Sequence, residues 1–141
     1  MKILVVEDEY PISQVLKAYL QKVHYEVIQV FDGKIAMDVF RTTSPDLVLL
    51  DVMLPNKDGW QILKEIREES NCPVIMLTAL GDVSNRLEGL NTRADDYIAK
   101  PFVAEEVVAR VKAVLRRVHK INPSVKLLYL SAIRWAKHSA L

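Results

Sequence analysis

Asp46-Leu47-Val48-Leu49-Leu50-Asp51, followed by Val52-Met53-Leu54-Pro55-Asn56-Lys57-Asp58-Gly59, decides how this chain folds. An unbroken apolar run closed by turn residues reads as a strand buried on both faces of a parallel sheet. Asp51 ends that run, at the edge where open α/β sheets place their chemistry. A second apolar run, Ile3-Leu4-Val5-Val6, ends in Glu7 and Asp8. If both runs are neighbouring parallel strands, three carboxylates meet at one sheet edge. Packed carboxylates repel one another unless a cation neutralises them.

The rest of the chain alternates strand and helix signals. Pro11–Leu20 places Ile12, Val15, Leu16, Tyr19 and Leu20 on one helical face, and Pro11 suits a first turn. Tyr25–Val30 alternates as a strand near the sheet edge does, and Asp32-Gly33 turns the chain. Helical spacing returns over Lys34–Phe40 and over Gly59–Glu69, where Trp60, Leu63 and Ile66 face inward. Pro73–Leu77 reads as the fourth strand and Asp82–Leu90 as a short polar helix. Asp96–Ala99 is a weak fifth strand, and Val103–Val118 a longer amphipathic helix. Five β-α pairs with right-handed crossovers predict a doubly wound, five-stranded parallel sheet in the order 2-1-3-4-5, with helices on both faces.

Composition bounds the function. The chain has 141 residues, enough for one full core and short for two. Its single cysteine, Cys72, makes neither an internal disulfide nor a zinc cluster and reads as a buried, inert thiol. No stretch reaches the roughly 18 apolar residues of a membrane span. The N-terminus turns acidic too early for a signal peptide, so a cytoplasmic protein is expected. The net charge of +1 conceals an asymmetry: residues 1–118 sum to −3 and residues 119–141 to +4. The acidic main unit offers no broad nucleic-acid footprint. No Gly-x-Gly-x-x-Gly or phosphate-loop pattern follows the first strand, which excludes a nucleotide-binding enzyme of doubly wound fold. His24, His119 and His138 are isolated and lack a kinase phosphohistidine pattern.

Residues 1–118 resemble the receiver domain of two-component response regulators, a CheY-like, flavodoxin-like fold. The resemblance rests on Val6-Glu7-Asp8-Glu9, Leu50-Asp51-Val52-Met53-Leu54-Pro55 with Asp58-Gly59, Leu77-Thr78-Ala79, and Asp95-Asp96-Tyr97-Ile98-Ala99-Lys100-Pro101-Phe102. Each motif alone is weak, whereas their order and spacing together are specific. The Ala94–Tyr97 and Ala109–Val111 stretches are similar to the OmpR/PhoB class of transcriptional regulators.

The resemblance implies that Asp51 is the phosphoacceptor for a sensor histidine kinase. It implies that Glu7, Asp8, Asp51 and the Met53 backbone carbonyl hold Mg2+, an ion suited to hard oxygen ligands. Thr78 and Lys100 would contact the phosphoryl group, and Ala79 would leave room for it. Thr78 and Tyr97 would form a switch pair. The Lys100–Pro101 bond would be cis, although sequence alone favours trans. Phosphorylation would favour a homodimer through the helix over 82–90, the fifth strand and the last helix, using Arg86, Asp95, Asp96, Glu106, Arg110 and Arg117. There Arg86 would pair with Glu106, and Asp96 or Asp95 with Arg110 or Arg117. The alternative function is a stand-alone or non-phosphorylated protein-interaction module of the same fold.

Three features depart from the family pattern. Arg93 replaces a usual glycine, and Asn85 replaces a frequent aspartate. Residues 119–141 form a basic tail, with a linker at Lys120–Ser124 and a possible short helix over Val125–Ala136. The tail resembles neither a winged-helix domain nor its linker, so DNA would be bound only through a C-terminal domain absent from this chain. A truncated, frameshifted or otherwise non-native tail is expected, with a docking or dimerisation element as the alternative.

Overall fold

A computed structural model describes residues 1–79 and 93–119. The helix expected over Asp82–Leu90, with Asn85 and Arg86, and the tail over 120–141 lie outside the described residues. Among the described residues the order is β1 (Lys2–Val6), α1 (Tyr10–Lys22), β2 (Glu26–Val30), α2 (Gly33–Thr43), β3 (Leu47–Asp51), α3 (Gly59–Glu69), β4 (Val74–Ala79), β5 (Asp96–Lys100) and α4 (Ala104–His119). The strands form one sheet in the order β2-β1-β3-β4-β5, and every pairing is parallel.

The apolar runs explain this layering. Successive strand residues point to opposite faces, so a run apolar at every position needs cover on both sides. Val48, Leu50, Val74 and Met76 pack under α2 and α3 with Met37, Phe40, Leu63 and Ile66. Leu47, Leu49, Ile75 and Leu77 pack on the other face with Leu16 and Leu20 of α1 and with Val107, Val111 and Val114 of α4. β3 lies at the centre and every one of its residues is buried. Each such side chain contributes roughly 1.5–3 kcal/mol relative to exposure. Displacing β3 would therefore cost far more than any single loop contact.

One expectation is corrected on α1. Leu16 and Leu20 are buried as predicted, but Val15 and Tyr19 are 48% and 37% exposed, and Ser13 is buried instead. Positions 12, 15, 16, 19 and 20 span a wider arc than the sheet covers. The seat of α1 is centred on 13, 16 and 20. The helix termini follow from short-range chemistry. Asp32 caps α2 by accepting from the Lys34 amide, and Asp58 caps α3 by accepting from the Gln61 amide. Gly59 begins α3 where a Cβ would meet the Asp51 carbonyl oxygen at 2.2 Å.

Candidate functional site

Parallel strands bring their carboxyl ends to one edge, and the register fixes which ends are neighbours. Val6 pairs with Leu50, Asp51 with Leu77, Thr78 with Ala99, and Ala79 with Lys100. Glu7, Asp8, Asp51, Thr78 and Lys100 therefore converge, although 93 positions separate Glu7 from Lys100. Glu7, Asp51 and Thr78 are buried, and Asp8 is exposed at the mouth. Oxygens of Glu7, Asp8 and Asp51 all lie within 4.8 Å of one another.

Lys100 binds two of these acids. Its Nζ donates to Glu7 Oε1 at 2.6 Å and to Asp51 Oδ2 at 3.1 Å. The other Asp51 oxygen accepts from the Met53 amide at 3.1 Å. The Glu7 backbone amide donates to Val30 O at 3.0 Å, and its carboxylate accepts from the Glu9 amide at 3.2 Å. Even so, burial pushes the Glu7 pKa up to about 7, reinforced by the neighbouring Asp51 carboxylate and only partly opposed by Lys100. Burial would lower the Lys100 pKa, but bonds to Glu7 and the charge of Asp51 outweigh it and hold the ammonium above its ordinary value.

Three carboxylates around one ammonium leave a charge deficit that fits a divalent cation. The oxygen-only donor set suits a hard ion, and an ion there would replace the proton that buried Glu7 otherwise favours. The acidic cluster can thus coordinate a divalent cation.

Thr78 and Tyr97 share one face of the sheet. Thr78 continues the alternation of Val74 and Met76, and Tyr97 packs against the cluster that contains both. The Tyr97 ring lies 6.3 Å from that of Trp60, tilted by 40°. The Lys100–Pro101 peptide is cis.

Of the residues expected on the dimer face, the described ones, Asp95, Asp96, Glu106, Arg110 and Arg117, make contacts within the chain. Asp96 pairs with Arg110 at 3.0 Å, and Glu106 pairs with the same guanidinium at 3.2 Å. Arg117 donates to the Asp95 carbonyl at 2.6 Å. The Asp95 carboxylate is engaged by Arg67 at 3.0 Å and by the Val74 amide at 2.8 Å. Sequence reasoning missed Arg67, which also donates to the carbonyls of Cys72 and Arg93. A guanidinium that bonds mainly to carbonyls leaves no pattern in side-chain identities.

The family model for the response regulator receiver domain matches residues 3–112. The chain is 48% identical over 126 residues to a probable transcriptional regulator ycf27 of Porphyridium aerugineum, covering 89% of this chain and 52% of the relative. It is 50% identical over 124 residues to the ycf27 of Pyropia yezoensis, covering 88% and 51%. The chain spans about half the length of these curated relatives. Among solved structures it is similar to the receiver domain of the Francisella response regulator 1452, with TM-score 0.76, 36% identity and coverage of 83% of this chain and 98% of that one. The BeF3-activated N-terminal receiver domain of Klebsiella pneumoniae RstA gives TM-score 0.76 and 36% identity, covering 82% and 99%. DrrB of Thermotoga maritima, an OmpR/PhoB homologue, gives 0.73 and 37%, covering 82% and 52%. With its sheet order, its acidic cluster at the strand ends and these likenesses, this chain belongs to the response regulator receiver family, as a CheY-like domain of the OmpR/PhoB class.

Proposed function

We propose that Asp51 takes a phosphoryl group from the phosphohistidine of a sensor kinase. One observation carries this reading. Asp51 is nearly buried at the carboxyl end of the central strand, 3.1 Å from Lys100 and within 4.8 Å of two further acids. A carboxylate oxygen of Asp51 attacks phosphorus, the P–N bond breaks, and the imidazole nitrogen leaves with the bonding pair. Lys100 would hold charge on the phosphoryl oxygens as a mobile point charge, and Thr78 would donate its hydroxyl to one of them. Glu7, Asp8, Asp51 and the Met53 carbonyl would hold Mg2+, which offsets the negative charge of the cluster and the phosphoryl group.

The unit doing this is residues 1–118, a phosphotransfer partner and not an independent enzyme. Thr78 drawn toward the phosphoryl group and Tyr97 following it on the same sheet face would bias a pre-existing equilibrium toward a homodimer. Arg86, Asp95, Asp96, Glu106, Arg110 and Arg117 would give that dimer its register. Transcription would be regulated through a DNA-binding domain outside this chain. Among the described residues no helix is long and apolar enough to cross a membrane, and we place the protein in the cytoplasm. Intact-mass measurement after exposure to a small phosphodonor with Mg2+ tests the reading. Wild type should gain one phosphoryl group and Asp51→Asn none; equal labelling of both would refute it.

A further inference from the structure

The loops that follow β2 and β3 are tied together beside the acidic cluster. Asn56 Nδ2 donates to both carboxylate oxygens of Asp32, at 3.1 and 3.0 Å. Asp32 also accepts from the Lys34 amide at 2.9 Å, so its carboxylate is fixed from two sides. Asn56 has φ 69°, a left-handed conformation that asparagine adopts more readily than most residues. One residue on, the chain lies directly against Gly33, where a Cβ would meet the Lys57 carbonyl oxygen at 2.2 Å. Two separate contacts thus hold residues 56 and 57 against residues 32 and 33.

We propose that the Asp32–Asn56 pair is a positioning latch for the loop after β3, keeping the Met53 carbonyl where a divalent ion held by Glu7, Asp8 and Asp51 requires it. This rests on the ligand set proposed above. The loop is anchored at its start by the Met53 amide on Asp51 at 3.1 Å and at its end by the Gly59 amide on Val52 O at 2.9 Å. Between those anchors its outward side is held by Asn56, three residues from Met53. Mg2+ demands near-ideal octahedral geometry, so a loop that wanders by a fraction of an ångström loses ion affinity and, with it, the charge compensation that attack by Asp51 on phosphorus needs. Asp32 and Asn56 are positioning residues that touch neither the ion nor the phosphoryl group. The pair is solvent-facing, and its loss should weaken the ion roughly two- to fivefold.

Three variants separate the latch from its bystanders. Asn56→Gly keeps the left-handed backbone and removes the amide. Asn56→Asp sets two carboxylates face to face. Asp32→Asn combined with Asn56→Asp exchanges the partners, restores an amide-to-carboxylate bond and keeps a good helix cap. Mg2+ affinity is read by calorimetry on unphosphorylated protein, loop order by hydrogen exchange of amides 52–58, and the rate of labelling at Asp51 by intact mass. Both single variants should bind Mg2+ more weakly and exchange faster, and the exchanged pair should return to wild type, which a merely structural loss would not do. The latch is refuted if Asn56→Gly matches wild type in affinity and exchange, or if the exchanged pair fails to recover what Asn56→Asp loses. If wild type binds Mg2+ but never carries phosphate at Asp51, the phosphoacceptor reading fails while the calorimetry and exchange still judge the latch.

Discussion

Lys100 holds Glu7 at 2.6 Å while also reaching Asp51, so a single ammonium joins side chains from the ends of three strands' worth of sheet edge. The Glu7 side chain is fully buried and that of Lys100 is 22% exposed. Removing the cation leaves two clustered carboxylates with less compensation.

Lys100→Met should therefore destabilise the metal-free protein by about 1–3 kcal/mol at neutral pH, because protonation of Glu7 absorbs part of the loss. Saturating Mg2+ should restore part of it. Urea unfolding with and without the ion checks this, and equal midpoints for wild type and variant would contradict it.

The raised Glu7 pKa sets a pH dependence. The folded protein binds the Glu7 proton more tightly than the unfolded chain does, with a pKa of about 7 against 4.5. Stability from this group is present below 4.5 and is lost as pH rises toward about 7. Metal-free wild type should lose stability across that window. Glu7→Gln should flatten the slope, and so should Mg2+, by taking the place of the proton. A wild-type slope that Glu7→Gln leaves unchanged would assign the effect elsewhere.

Gly59→Ala tests the seat of Asp51. The added Cβ would stand 2.2 Å from the Asp51 carbonyl oxygen and 2.9 Å from Val52 Cα, and backbone cannot swing aside as a side-chain tip can. Overpacking of this kind costs about 1–3 kcal/mol, which exceeds the roughly 1 kcal/mol that alanine gains over glycine in a helix. A net loss of thermal stability and slower labelling of Asp51 are expected, measured by calorimetry and mass.

Cys72 should be inert in the native protein. Burial pushes its thiol up to about 12 from an ordinary 9.0, only partly opposed by Arg67. Thiolate at pH 8 is then lower by about a thousandfold than in the unfolded chain. Alkylation should be slow when folded and fast in urea; equal rates would place the thiol at the surface.

The parts legible in sequence were those with a periodic or terminal signature. β3 and β4 could be read because cover on both faces demands unbroken apolar runs, and their ends located Asp51 and Thr78. Helix α1 was read less well, since Val15 and Tyr19 flank the buried stripe and only packing decides how wide that stripe is. Arg67 was invisible because its partners include the carbonyls of Cys72 and Arg93, groups that every residue carries. The Asp32–Asn56 pair was hidden for another reason: each residue alone reads as a cap or a turn, and only the fold brings them together.

The most direct measurement of the central claim is the chemical identity of the modified atom. After incubation with a small phosphodonor and Mg2+, borohydride reduction converts an aspartyl phosphate to homoserine, which peptide mass mapping locates. Homoserine is expected at residue 51 and at no other aspartate, with none formed when the donor is omitted. Homoserine at Asp8, or phosphate gained with residue 51 still aspartate after reduction, would contradict it.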